Sequence, residues 1–109
     1  MDRAAQITFV KTAAIRALLK NARITLPMTV NPFGQGVHAR PSAVIMGLAR
    51  KALGDITFTR SPNHMDSPKN GKSALQLLMF GAGPGETIHV HAHNDADAPI
   101  LDAIRKVVS

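Results

Sequence analysis

Apolar and polar residues alternate in three short stretches of this chain. Ile24, Leu26, Met28 and Val30 interleave with Thr25, Pro27 and Thr29. Asp55-Ile56-Thr57-Phe58-Thr59-Arg60 and Thr87-Ile88-His89-Val90-His91-Ala92-His93 keep the same period. A period of two puts every second side chain on one face, as in a half-buried strand. Pro27 has no N–H to give a ladder, so the first strand belongs at a sheet edge or carries a bulge. Ser61-Pro62-Asn63 signals a turn, and a short third strand is expected near residues 64–67.

Elsewhere the period lengthens to that of a helix. Over residues 3–20, Ile7, Val10, Ala14 and Leu18 recur at helical spacing, with Arg3, Lys11, Arg16 and Lys20 between them. A helix is expected over residues 39–53, with Gly54 as its C-terminal stop. Ser73 to Phe80 reads as a short apolar helix ended by Gly81. A last helix starts within residues 95–99, capped by Asp95 or Asp97, with Ile100, Leu101, Ile104, Val107 and Val108 on its apolar side. Asp102 can pair there with Arg105 or Lys106. After the N-terminal helix the order is β-α-β-β-α-β-α. Four strands with one apolar face each need a layer of helices to bury them, which predicts a two-layer α/β (α+β) sandwich.

Composition narrows the setting. At 109 residues the chain holds one domain with one modest core. Cysteine is absent, which excludes disulfides and thiolate metal sites and fits an intracellular, cytoplasmic protein. No apolar run approaches the roughly 20 residues of a membrane span, so no insertion into a membrane is expected. The net charge of +6 favours an acidic partner or a phosphate. Without Trp or Tyr, and with only 4 Phe, base stacking has little to use, and no nucleic-acid partner is expected. Much of the basic excess lies in residues 1–23, where Arg3, Lys11, Arg16, Lys20 and Arg23 face Asp2 alone. That segment reads as a basic arm, a transit peptide, or an appended helix packed on the domain or a neighbouring subunit. The chain thus divides into a basic extension over residues 1–22 and a domain over 23–109.

The candidate chemistry sits in Gly34-Gln35-Gly36-Val37-His38-Ala39-Arg40-Pro41, just before the apolar run Ser42-Ala43-Val44-Ile45-Met46. Proline is tolerated in a first helical turn, which puts His38 at or near the N-cap. Free N–H groups and the helix dipole favour an anion there. A neutral imidazole beside such a site can attack phosphorus, and Arg40 can grip the phosphoryl oxygens. Positive charge from the helix end and Arg40 disfavours imidazolium.

Gly36-Val37-His38-Ala39-Arg40-Pro41 resembles the active-site motif of the histidine-containing phosphocarrier (HPr) family of the bacterial sugar phosphotransferase system, or its nitrogen-related paralogue. The resemblance starts near residue 23 and implies an antiparallel sheet of order 1-4-2-3 with three helices on one face. It implies that His38 accepts a phosphoryl group on Nδ1 from enzyme I, itself charged by phosphoenolpyruvate, and passes it to an enzyme IIA-type domain. Arg40 and the backbone amides of Ala39 and Arg40 would bind the phosphate. The protein would then be a carrier, not an enzyme, with no cofactor of its own. Gln35 departs from the pattern, standing where the family often has Asn or Ser.

Ser73 resembles the family's regulatory serine, the target of a serine kinase and phosphorylase in some bacteria, with Gly81 eight residues on as in the family. Its spacing from His38 exceeds the family's usual spacing, and its plain alternative is a helix cap. The resemblance also implies a docking patch of Val37, Ala74 and Leu75, with Lys72, Arg40, Arg50 and Lys51 meeting acidic partners. A different reading keeps the fold but makes the chain a regulatory docking module that never carries phosphate. Gly71-Lys72-Ser73 ends like a P-loop but has Asp66 where the first glycine belongs, which excludes that motif. His89, His91 and His93 share a strand face, successive ones about 7 Å apart. In the family fold this face is open to solvent, together with Thr25, Thr29, Thr57 and Thr59. A polar exposed face accounts for the histidines without a metal.

Overall fold

A computed structural model describes residues 22–34, 36–37, 39–60 and 68–109. The N-terminal helix expected over 3–20, the turn at 61–63 and the strand expected near 64–67 lie outside the described residues. The elements are β1 (Ile24–Thr29), α1 (Ala39–Ala49), β2 (Ile56–Thr59), β3 (Lys69–Asn70), α2 (Ala74–Phe80), β4 (Thr87–Ala92) and α3 (Ala98–Val108), the last preceded by a 3₁₀ turn over Asp95–Asp97. The strands form one antiparallel sheet of order β1-β4-β2-β3. β1 takes the edge, where its Pro27 has no second neighbour to serve.

The alternation sorts the sheet into two faces. Met28, Ile56, Phe58, Ile88, Val90 and Ala92 join Ile45 and Ala49 of α1, Leu77 and Phe80 of α2, and Leu101, Ile104 and Val108 of α3 in one core. The strand that pairs with β2 through Thr57 and Phe58 is Lys69–Asn70, later in the chain than the expected one. It is short because Gly71 turns the chain directly into α2. The Gly71 N–H donates to Ile56 O at 2.7 Å, and a Cβ at Gly71 would meet Phe58 Cε2 at 2.8 Å.

Two expectations about helix ends are corrected. α1 stops at Ala49, not at residue 53, and Gly54 does not take a positive φ. The Lys51 and Ala52 N–H groups bond three residues back, to Leu48 and Ala49, so the helix tightens into turns there. Asp97 then ends this segment from afar, its carboxylate accepting from the Leu53 and Gly54 N–H groups at 2.9 Å each. Gly54 is instead a place of close approach, where a Cβ would lie 3.2 Å from that of Asn94. The same bonds engage Asp97, which stands at the N-cap position of α3 without a side-chain cap bond. Asn94 caps the preceding turn through the Ala96 N–H at 2.9 Å. α2 follows expectation at both ends: Ser73 accepts from the Gln76 N–H, and Gly81 closes the helix with φ 63°.

The outer face of the sheet departs from the solvent-open expectation at its middle. Thr25 and Thr29 of the edge strand are exposed, but Thr57 and Thr59 of β2 and His91 of β4 are buried. Among the described residues no helix is long and apolar enough to cross a membrane.

Candidate functional site

α1 begins at Ala39, the residue after His38 in the chain. Its first-turn N–H groups have no partner within the helix, and they carry the positive end of its dipole. Pro41 occupies this first turn without costing a hydrogen bond. Arg40 is exposed on the same turn. Gln35 and His38 themselves lie outside the described residues.

The approach to this helix start is held from behind by the segment after α2. The Val37 N–H donates to Ala82 O at 2.9 Å, and Val37 is buried in the core. Gly36 has φ 82°, and a Cβ there would fall 2.6 Å from Ala82 O. Only glycine allows that backbone turn and that closeness. The Ala82 segment is anchored in turn by residues that sequence reasoning missed. Arg60 lies over the Phe80 ring at 4.4 Å, donates to Phe80 O at 2.6 Å and pairs with Glu86 at 2.6 Å. The other carboxylate oxygen of Glu86 accepts from the Gly83 N–H at 2.9 Å. These residues are far apart in sequence and belong to no motif. Only the excess of one Arg at a strand end hinted at them.

The surface beside α1 belongs largely to α2. Leu77 and Phe80 are buried, whereas Leu75 and Met79 are each 67% exposed and Leu78 is half-exposed, with Val44 of α1 also exposed. A short helix with three large apolar side chains in water is unusual for a monomeric surface. Val37, expected in this patch, is instead in the core, because its N–H bond to Ala82 turns it inward. Arg50 donates to Lys72 O at 3.2 Å, which joins these two basic residues at one end of α1. Arg40 stands at the other end, about 15 Å away by helix rise. Ser73 lies at the start of α2 and the Ala82 segment just past its end, so the serine is not part of the helix-start site.

A family model described as the PTS HPr component phosphorylation site matches residues 29–109. The chain belongs to the HPr family. It is 30% identical to the phosphocarrier protein HPr of Pseudomonas putida over 74 residues, covering 68% of this chain and 79% of that one. It is also 30% identical to HPr of Mycoplasma pneumoniae over 73 residues, covering 67% and 80%. Among solved structures, HPr from Bacillus anthracis superposes with a TM-score of 0.67 at 21% identity, over 79% of this chain and 96% of that one. A mycoplasma histidine-containing phosphocarrier gives 0.63 at 25% identity, over 77% and 90%. The role of this HPr-family chain is therefore that of a phosphocarrier in the phosphotransferase system, not of an enzyme. The sheet order and the three helices of the family are present.

Two other clusters in this HPr-family chain serve packing. Gly71 is wedged against Phe58 and Ile56, which accounts for the glycine before Lys72-Ser73 without nucleotide. On β4, His91 bonds Thr25 Oγ1 through Nδ1 and Thr59 Oγ1 through Nε2, each at 2.8 Å. His93 Nε2 meets Thr57 Oγ1 at 3.2 Å, and His89 Nδ1 meets Arg60 O at 3.2 Å. Among the described residues no three His, Cys, Asp or Glu side chains gather as a metal site.

Proposed function

We propose that His38 is the phosphoryl acceptor, taking the group from phospho-enzyme I onto Nδ1 and passing it to a histidine of an enzyme IIA-type domain. The lone pair of a neutral imidazole attacks phosphorus as the bond to the enzyme I histidine breaks, so one P–N bond replaces another and no proton is consumed. The onward transfer runs the same exchange. Phosphoryl transfer asks for in-line geometry and positive groups on the equatorial oxygens. Arg40 and the Ala39 and Arg40 N–H groups supply them. The observation that carries this reading is the start of α1 at Ala39, directly after His38, with Arg40 exposed in the first turn.

Docking uses the exposed side chains of α1 and α2. Leu75 forms the apolar centre with Leu78, Met79, Val44 and the partly exposed Ala74, and Arg40, Arg50, Lys51 and Lys72 meet acidic residues around it. Phosphorylation of Ser73 by a serine kinase would add negative charge beside this patch and weaken transfer from enzyme I.

The test is intact-mass spectrometry after incubation with phosphoenolpyruvate and an active enzyme I from the same organism. One acid-labile phosphoryl on the wild type and none on His38→Ala is the expected result. No phosphoryl on the wild type would overturn the reading.

A further inference from the structure

The segment that leads into His38 is fastened at both of its ends to a single turn. At its start, the Val30 N–H donates to Glu86 O and the Gly85 N–H to Val30 O, each at 2.9 Å. At its end, the Val37 N–H donates to Ala82 O at 2.9 Å. Gly36 leans on the same turn, since a Cβ there would also meet Gly83 Cα at 3.3 Å and Pro84 Cδ at 3.4 Å. Residues 83–86 are built to reverse the chain. The Glu86 N–H donates to Gly83 O at 3.1 Å, with Pro84 and a Gly85 of φ 79° between them. Proline second and a positive-φ glycine third is the pattern of a type II turn.

The Glu86 side chain locks this turn. Its Oε2 accepts from the Gly83 N–H at 2.9 Å, and its Oε1 pairs with Arg60 Nε at 2.6 Å. Arg60 also donates to Phe80 O, so the carboxylate is held from the ends of both β2 and α2. An ionised carboxylate only accepts, and its charge-assisted bonds are the strong ones. We infer that Glu86 is a positioning residue for phosphoryl transfer at His38. By fixing the Gly83 amide it fixes the Ala82 carbonyl, and with it Val37, the residue next to the acceptor in the chain. The inference rests on the phosphocarrier reading of His38. A misplacement of about 1 Å can cost a reaction about 10²-fold, so the turn governs the rate of transfer, whereas docking belongs to side chains of α1 and α2. Charge alone gives the opposite sign. A carboxylate opposes an incoming phosphoryl group, so removing one that held nothing in place would leave transfer unchanged or faster.

The test follows single transfers from pre-formed phospho-enzyme I by rapid quench and intact-mass spectrometry, over a range of carrier concentrations and per folded molecule. Glu86→Ala is expected to lower the maximal rate about tenfold or more, with the half-saturating concentration within about twofold of wild type. Glu86→Val, with a β-branched side chain suited to the start of a strand, removes the carboxylate a second way should Glu86→Ala fail to fold. Glu86→Gln keeps one acceptor oxygen for the Gly83 N–H and should recover most of the rate. A wild-type or faster maximal rate in Glu86→Ala or Glu86→Val would overturn the inference. So would a change confined to the half-saturating concentration, or a Glu86→Gln as slow as Glu86→Ala. A wild type that takes no phosphoryl group would overturn the reading of His38 and this inference with it. A wild type that takes one, beside an unaffected Glu86→Ala, overturns the inference alone.

Discussion

Gly36 and Ser42 flank the acceptor position in the chain and should respond to substitution in opposite directions. At Gly36 a side chain meets both a positive φ of 82° and the Ala82 oxygen at 2.6 Å. Gly36→Ala should therefore lower stability by about 1–3 kcal/mol, read from urea unfolding, and slow phosphorylation through the displaced loop. Ser42 is fully buried on α1, and its Oγ has no hydrogen-bond partner among the described residues. An unpaired buried hydroxyl is a cost, so Ser42→Ala should keep or raise stability by up to about 1 kcal/mol, visible as an unchanged or higher Tm. Asp102 offers a pH test. Its hydrogen bond to Arg105, then that to Lys106, holds its carboxyl below the ordinary value of 3.8. A depressed folded pKa adds stability above the unfolded pKa and loses it as pH falls through the lower folded value. The acid limb of a Tm-versus-pH curve should therefore be shallower in Asp102→Asn, by a small margin because the pair is exposed.

At the scale of elements, α2 was legible almost residue for residue because both of its ends are decided locally. Ser73 and Gly81 are an N-cap and a left-handed stop whose partners lie within four residues. The end of α1 was not legible, because Asp97, more than forty residues on, receives the Leu53 and Gly54 amides. Gly54 looked like a helix stop, and its real constraint is the approach of Asn94. The motif around His38 and Arg40 stood out in the sequence, since Gly36, His38, Arg40 and Pro41 fall within six consecutive positions. The Arg60–Glu86 support did not, being assembled from two strand ends. Likewise Val37 read as a docking residue, because no local pattern announces the hydrogen bond to Ala82. The local cap makes a clean test of regulation at α2. Ser73→Ala should cost about 1 kcal/mol through the lost cap, whereas Ser73→Asp retains a capping acceptor that suits the helix dipole. If charge at this position governs docking, phosphoryl uptake from enzyme I falls in Ser73→Asp and stays near wild type in Ser73→Ala, measured at a temperature where both are folded. Equal rates in the two variants would remove the charge argument.

At the scale of the whole molecule, the helix layer is closed by one buried carboxylate. Asp97 is 2% exposed and sits where the turn before α3 meets the segment after α1. Its two oxygens each accept one amide, so the end of one helix and the start of another, more than forty residues apart, share a single side chain. Hydrogen bonds to a charged group contribute about 1.5–3 kcal/mol each, and losing the acceptor leaves both amides unsatisfied. Asp97→Ala should thus destabilise the domain by roughly 3 kcal/mol, a large part of the 5–15 kcal/mol typical of a domain. Asp97→Asn keeps one acceptor oxygen and should lose about half as much. The position lies at the end of α1 remote from Ala39 and Arg40, so neither variant should change phosphoryl uptake per folded molecule at low temperature. Urea unfolding with parallel mass spectrometry reads both quantities. A wild-type midpoint in Asp97→Ala would show that the carboxylate joins the helices without stabilising them, and loss of uptake in fully folded protein would show that strain at the far end of α1 reaches its beginning.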